Sequence, residues 1–295
     1  MGVSDTSFAV TALSALEILD SRGNPTLRID VKLASGAHAQ AGVPSGASTG
    51  SREAVELRDG DKARYGGKGV LGAVANVNGE LADLARSHTW ASLAELDAAM
   101  IAADGTENKA RLGANAIVGV SMAVARAVSG ATPLFRFLQP DGVQPRLPVP
   151  HFNVLNGGAH APNSLDFQEF MIAPIGAPSM PEAVRAGAAV YGKLRGLLQD
   201  AGFATGLGDE GGFAPDITRP EDVLELLVRA IGAAGYTPGR EGVAIALDPA
   251  ASEFYRDGAY HVAGEALTWA SPRSVEASPL REMSGDDDEA VSEVR

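Results

Sequence analysis

The sequence predicts a chain in two parts, an α+β unit followed by α/β units, and three observations carry that reading. Leu27, Ile29, Val31 and Leu33 alternate with Arg28, Asp30 and Lys32, the period of a strand with one buried face. From residue 69 to 130 the apolar spacing turns helical, with Val70, Val74, Val77, Leu81 and Leu84 on one side. Beyond a Pro- and Gly-containing break at 139–145, strand-like runs alternate with segments that open on helix-capping signals. A length of 295 residues allows about two domains, and 45% hydrophobic against 21% charged residues is a globular balance.

Residues 8–20 read as strand in part, and Asp20-Ser21-Arg22-Gly23-Asn24-Pro25 is dense in turn formers. Residues 39–43 add a third strand, so the chain opens with a small antiparallel meander. The loop Pro44-Ser45-Gly46-Ala47-Ser48-Thr49-Gly50 is made of small residues with three hydroxyls. It reads as a flexible surface loop, or as a mobile lid whose hydroxyls or carbonyls reach a hard cation. Residues 114–128 form an Ala/Val-rich helix suited to burial, and Asp104 to Lys109 before it reads as a structural turn. In the second part, 149–155 and 167–172 are strand-like. Ser179-Met180-Pro181-Glu182 has the form of a capping box, and Thr218-Arg219-Pro220-Glu221 repeats that start signal. Val223, Leu226, Leu227, Ala230 and Ile231 then share a face. Residues 243–247 form a short buried strand ending at Asp248. This alternation predicts parallel β/α units, with working residues at the C-terminal ends of strands, where Asp248 stands.

Composition narrows the function classes. A net charge of −13 argues against binding nucleic acid or an anionic membrane through bulk electrostatics. No apolar run reaches the roughly 18 residues of a membrane span. With no cysteine, disulfides, thiolate metal sites and cysteine nucleophiles are excluded, which fits a reducing, cytoplasmic setting. The stretch 206–215, Gly-Leu-Gly-Asp-Glu-Gly-Gly-Phe-Ala-Pro, holds Asp209 and Glu210 between glycine pairs. Alone it is a weak signal, since acidic Gly-rich loops are usually solvated turns. It gains weight from Asn156-Gly157-Gly158-Ala159-His160, from Gln168-Glu169 and from Asp248.

Taken in order, the motifs resemble those of the enolase family, the phosphopyruvate hydratases of glycolysis. They are Asp20 to Thr26, Pro44 to Gly50, Leu57 to Lys62, Asp104 to Lys109, Asn156 to His160, Gln168 to Met171, Gly208 to Pro215 and Ala250 to Tyr255. The resemblance spans residues 8–268. It implies an N-terminal α+β domain over 1–140 with a lid loop at 44–50, then a β/α barrel of the TIM type over 145–268. That barrel begins ββαα rather than βαβα. It also implies dehydration of 2-phosphoglycerate to phosphoenolpyruvate with two Mg²⁺ ions per site, in a homodimer that Arg22 helps to contact. Glu210 resembles the general acid, which demands a raised pKa, and Glu169 the second carboxylate near the leaving hydroxyl. Gln168 and His160 resemble substrate contacts. Asp248 resembles a ligand of the tightly held Mg²⁺, and Ser48 with Ala47 the lid position meeting substrate and the second Mg²⁺.

The sequence also departs from the family. A β/α barrel needs about 250 residues, and the part after the boundary is shorter. Two further acidic metal ligands, the proton-abstracting lysine and the phosphate-binding groups have no matching positions. Lys193 is the last lysine and precedes the acid motif. Residues 269–295 read as an acidic, disordered tail. The expectation is therefore an incomplete barrel, from a truncation or a shifted reading frame. A non-catalytic fragment that binds full-length enolase or another partner is the alternative.

Overall fold

The computed structural model describes residues 6–46 and 48–267; Ala47 and the tail at 269–295 lie outside the described residues. β1 (Phe8–Leu19), β2 (Pro25–Leu33) and β3 (His38–Gly42) form the expected antiparallel meander. The short β4 (Thr89–Trp90) pairs with the other edge of β1, giving the order β3-β2-β1-β4. In β2, Leu27, Ile29, Val31 and Leu33 are buried while Lys32 is exposed, as the alternation predicts.

Helices cover that sheet: α1 (Leu71–Asn76), a π-helical turn Val77–Leu81, α2 (Ala82–Arg86), α3 (Leu93–Asp104), α4 (Ala114–Ser129) and the one-turn α5 (Leu134–Phe137). Val70, Val77 and Leu81 are fully buried, with Val74 and Leu84 packed against the same core. Gly105, at φ 70°, ends α3 in the left-handed region that glycine adopts without strain. Asp104 then accepts from the N–H of Thr106 at 2.9 Å and of Leu112 at 2.7 Å, so this motif is structural here.

The second core is built on β5 (Phe152–Asn156), β6 (Glu169–Ala173), α6 (Met180–Asp200), α7 (Pro220–Ala233) and β7 (Ala244–Asp248). The sheet order is β5-β6-β7 and both pairings are antiparallel. The expectation of parallel units is therefore corrected, and the ββαα order implied by the resemblance is what forms. No full helix separates β5 from β6, so β6 runs back along its neighbour. Two helices then return the chain to the end where they began, and β7 opposes β6 in turn.

Ser179 caps α6 by accepting from the N–H of Glu182. The second capping signal does not form: Arg219, not Thr218, precedes α7 and makes no side-chain cap. Pro220 starts that helix instead, its fixed φ already suited to the first turn. Val223, Leu227, Ala230 and Ile231 of α7 meet Ala186, Val190, Leu194 and Leu198 of α6 over Phe170 and Ile172. β7 is less buried than its sequence predicts, with Leu247 at 40% exposure, because it is the edge of the described sheet. A small meander follows: β8 (Tyr255–Arg256), β9 (Ala259–Val262) and β10 (Glu265–Leu267).

Candidate active site

Antiparallel pairing decides where the polar residues meet. Asn156 ends β5, Glu169 begins β6 and Asp248 ends β7; Asn156 pairs with Glu169, and Glu169 with Asp248. One rung of the ladder thus carries an amide and two carboxylates. The register shifts between Asn153 and Leu155, which leaves Val154 as an extra residue. In a regular strand, side chains three positions apart lie on opposite faces. The bulge turns both Asn153 and Asn156 toward the loop at 206–215. A Cβ on Gly212 would lie 2.3 Å from Asn156 Oδ1 and 3.0 Å from Asn153 Oδ1. Only glycine permits that approach.

The loop is tied down on several sides. Phe213 donates its N–H to Val154 O at 3.0 Å, and its carbonyl accepts from Asn156 N at 2.8 Å. Gly208 N donates to Gly212 O at 2.8 Å, closing a turn with Asp209 and Glu210 at its tip. Tyr191 stacks on Phe213 at 4.4 Å and donates its hydroxyl to Gly211 O at 2.8 Å. Asn163 Nδ2 donates to Asn156 O and Pro215 O at 3.0 and 2.9 Å. Asp209 takes its N–H to His160 O at 3.0 Å, and its carboxylate lies 3.8 Å from Arg22 Nη1. Arg22 also donates to Ser45 O at 2.8 Å, at the root of the candidate lid.

Glu210 is held against the rung. Its Oε2 accepts from Asn153 Nδ2 at 3.4 Å, and its Oε1 is 3.8 Å from His160 Nε2. His160 Nδ1 is 3.4 Å from Glu169 Oε1, close enough to pair but without hydrogen-bond alignment. Side-chain exposure falls from 48% at Glu210 to 14% at Glu169 and 4% at His160. Burial raises the Glu169 carboxyl to about 7, and the charge of Glu210, a hydrogen bond shared with Glu210 and the charge of Asp248 add to it. Two carboxylates this close disfavour both being ionised, which acts in the same direction as burial on Glu169. Glu169, which the resemblance makes the second carboxylate near the leaving hydroxyl, is thus a carboxyl raised by its surroundings.

The residues also fit a divalent cation. Ligand atoms of His160, Glu169 and Glu210 lie within 4.8 Å of one another. Buried oxygens of Asn153, Asn156 and Gln168 have no hydrogen-bond partner among the described residues. Carboxylates crowded with unpartnered amide oxygens are the donor chemistry of a hard metal ion. Ser48 is placed apart, in a crevice of ≈ 160 Å³ beside Glu53, Glu56 and Asn115, which shares no lining residue with the cluster. Ala47 lies outside the described residues. Sequence reasoning missed Asn153, Tyr191, Asn163 and the Arg22–Asp209 contact. The two asparagines of β5 were the available signal, since a strand between two apolar layers has little use for amides.

Comparison with known families bears on the whole arrangement. Residues 10–138 match the enolase N-terminal domain, and residues 144–284 match the enolase C-terminal TIM barrel domain. The chain belongs to the enolase family. The enolase barrel match runs past Thr268, where the motif-by-motif likeness stops. The described residues supply the ββαα start of that barrel and its next strand, a half-barrel sheet. Enolases are metal-dependent lyases, and the donor cluster lies at the strand ends where a β/α barrel places its chemistry.

Proposed function

We propose that the chain carries the acid side of an enolase-type dehydration, 2-phosphoglycerate to phosphoenolpyruvate, with Mg²⁺ as the metal. The observation that carries this is the convergence of Glu169, a buried carboxyl raised to about 7, with Glu210 and His160, whose ring nitrogens lie 3.4 Å from Glu169 Oε1 and 3.8 Å from Glu210 Oε1. When the substrate C–O bond breaks, the leaving hydroxyl takes a proton from the carboxyl pair and departs as water. Glu169, raised to about 7 by burial and by the charges of Glu210 and Asp248, keeps a proton at the pair near neutral pH. Gln168 and His160 contact the substrate. Asp248 would hold the metal ion beside Glu169, and Ser48 with Ala47 would close over it as a lid. Mg²⁺, when bound, stabilises negative charge on the substrate carboxylate while the neighbouring carbon loses its proton. The lysine base that the resemblance implies has no counterpart here: Lys193, the last lysine of the sequence, is exposed on α6. The site acts in a cytoplasmic protein that pairs as a homodimer, with no nucleic acid or membrane partner.

A second reading, a non-catalytic enolase-family fragment that acts by binding another chain, is favoured by the edge position of β7 among the described residues and by its exposed Leu247. Absorbance at the phosphoenolpyruvate band, with 2-phosphoglycerate and Mg²⁺, separates the two. Activity in the purified chain that is lost in Glu210→Gln supports the lyase. A folded chain with no activity alone, and no gain over the full-length enzyme's own rate when mixed with it, removes the lyase reading and leaves the fragment.

A further inference from the structure

Between α3, α4 and α5 lies a cavity of ≈ 680 Å³ that shares no lining residue with the carboxylate cluster. Its volume falls within the roughly 300–1,000 Å³ of small-molecule sites. Leu93, Met122, Ala125, Leu134 and Phe137 supply an apolar wall. Asp97 of α3 lies in that wall, and its Oδ1 is buried without a hydrogen-bond partner. Burial raises the pKa of Asp97, against one hydrogen bond from Ser121. A carboxylate can accept about four hydrogen bonds, so this one is under-satisfied. Asp141 adds a second acidic group to the lining. Arg126 is the basic residue there, and it donates to Gln40 O at 3.0 Å rather than pairing with Asp97.

We infer that this cavity binds a small molecule bearing a primary ammonium on an apolar or aromatic body, with the ammonium against Asp97. The ammonium brings three donors and a positive charge to the orphaned oxygen, and the body covers the apolar wall. Two acidic groups against one guanidinium favour a cation over an anion. A neutral alcohol of the same shape offers one donor and no charge. No residue of the cavity takes part in the proposed dehydration, so the site stands or fails independently of it.

The test titrates the full chain with phenethylammonium chloride and, separately, with 2-phenylethanol, by calorimetry and ligand-observed NMR. Saturable binding of the ammonium, about tenfold or more tighter than the alcohol, is the expected result, as one charge-assisted hydrogen bond is worth that ratio. Asp97→Asn should weaken the ammonium by about tenfold and leave the alcohol unchanged. Met122→Trp fills the cavity without touching the carboxylate and should remove both, with circular dichroism unaltered. Equal affinity of the two probes, absence of saturable binding, ammonium affinity unchanged in Asp97→Asn, or ammonium binding retained in Met122→Trp overturns the inference. The comparison of probes on the unaltered chain decides the matter even where a variant fails to fold.

Discussion

Replacing Glu169 by glutamine should stabilise the metal-free chain, and by an amount that grows with pH. Glu169 is raised from 4.5 to about 7 by burial and by the carboxylates of Glu210 and Asp248. Below about pH 4.5 the group is protonated in both folded and unfolded chains and carries no penalty. Between there and about 7 the folded chain keeps a proton that the unfolded chain releases, so folding weakens as pH rises. Above about 7 the full penalty applies. At about 1.36 kcal/mol per pH unit the interval corresponds to about 3 kcal/mol, an upper bound because Glu169 titrates against a neighbouring carboxylate. Urea unfolding followed by far-UV circular dichroism, in EDTA, from about pH 4.5 to about pH 8.5, reads this directly. Glu169→Gln should match the parent at the acid end and exceed it by about 2–3 kcal/mol at the alkaline end. Adding Mg²⁺ at high pH should narrow the gap by stabilising the parent alone. Parallel pH profiles for the two chains, or a variant less stable at alkaline pH, would show that the carboxylates do not repel one another as their placement requires.

Three further outcomes follow from packing and capping. Leu227 is fully buried between α6 and the sheet, and Leu227→Ala should cost about 2–5 kcal/mol in urea unfolding. Ser179→Ala removes the oxygen that accepts from Glu182 N and should cost about 1 kcal/mol by the same measurement. Gly212→Ala would put a methyl 2.3 Å from Asn156 Oδ1 and 2.9 Å from Leu155 N, displacing the turn that presents Glu210. The cost should be about 1–3 kcal/mol, with faster amide exchange at Gly208 and Phe213, whose bonds hold that turn.

Much of the first unit was legible because its signals are local. The alternation in β2 and the helical spacing from Val70 to Leu84 each depend on one element's own burial. The second unit was less legible because its geometry depends on strand direction, which no period of apolar residues encodes. A run of strands and capped helices looks the same whether the helices come singly or in pairs. The capping signal at Thr218 failed for a local reason, since Pro220 two residues later was the stronger determinant. The β8–β10 meander was missed although Asp257-Gly258 and Ala263-Gly264 both adopt the consecutive positive φ values of tight hairpin turns. At the site, the residues in glycine-flanked motifs were recognisable by type and order. The convergence of Asn153 with Asn156 was not, because it rests on an extra residue in β5 that alternation alone would place on the wrong face. Nor could sequence show that the raised carboxyl is Glu169, a consequence of depth in the fold rather than of neighbours in the chain.

The guanidinium of Arg22 has a consequence for building chimaeras. It leaves the first turn of the chain, reaches the Ser45 carbonyl and approaches the carboxylate that adjoins Glu210. A crossover between relatives placed anywhere from residue 46 to 208 would inherit Arg22 from one parent and Asp209 from the other. The peptide linker at 139–145 looks like the natural place to cut, yet it separates these two ends. Exchanged halves would join well as covalent chains and meet poorly as neighbours, unless both parents carry the same pair.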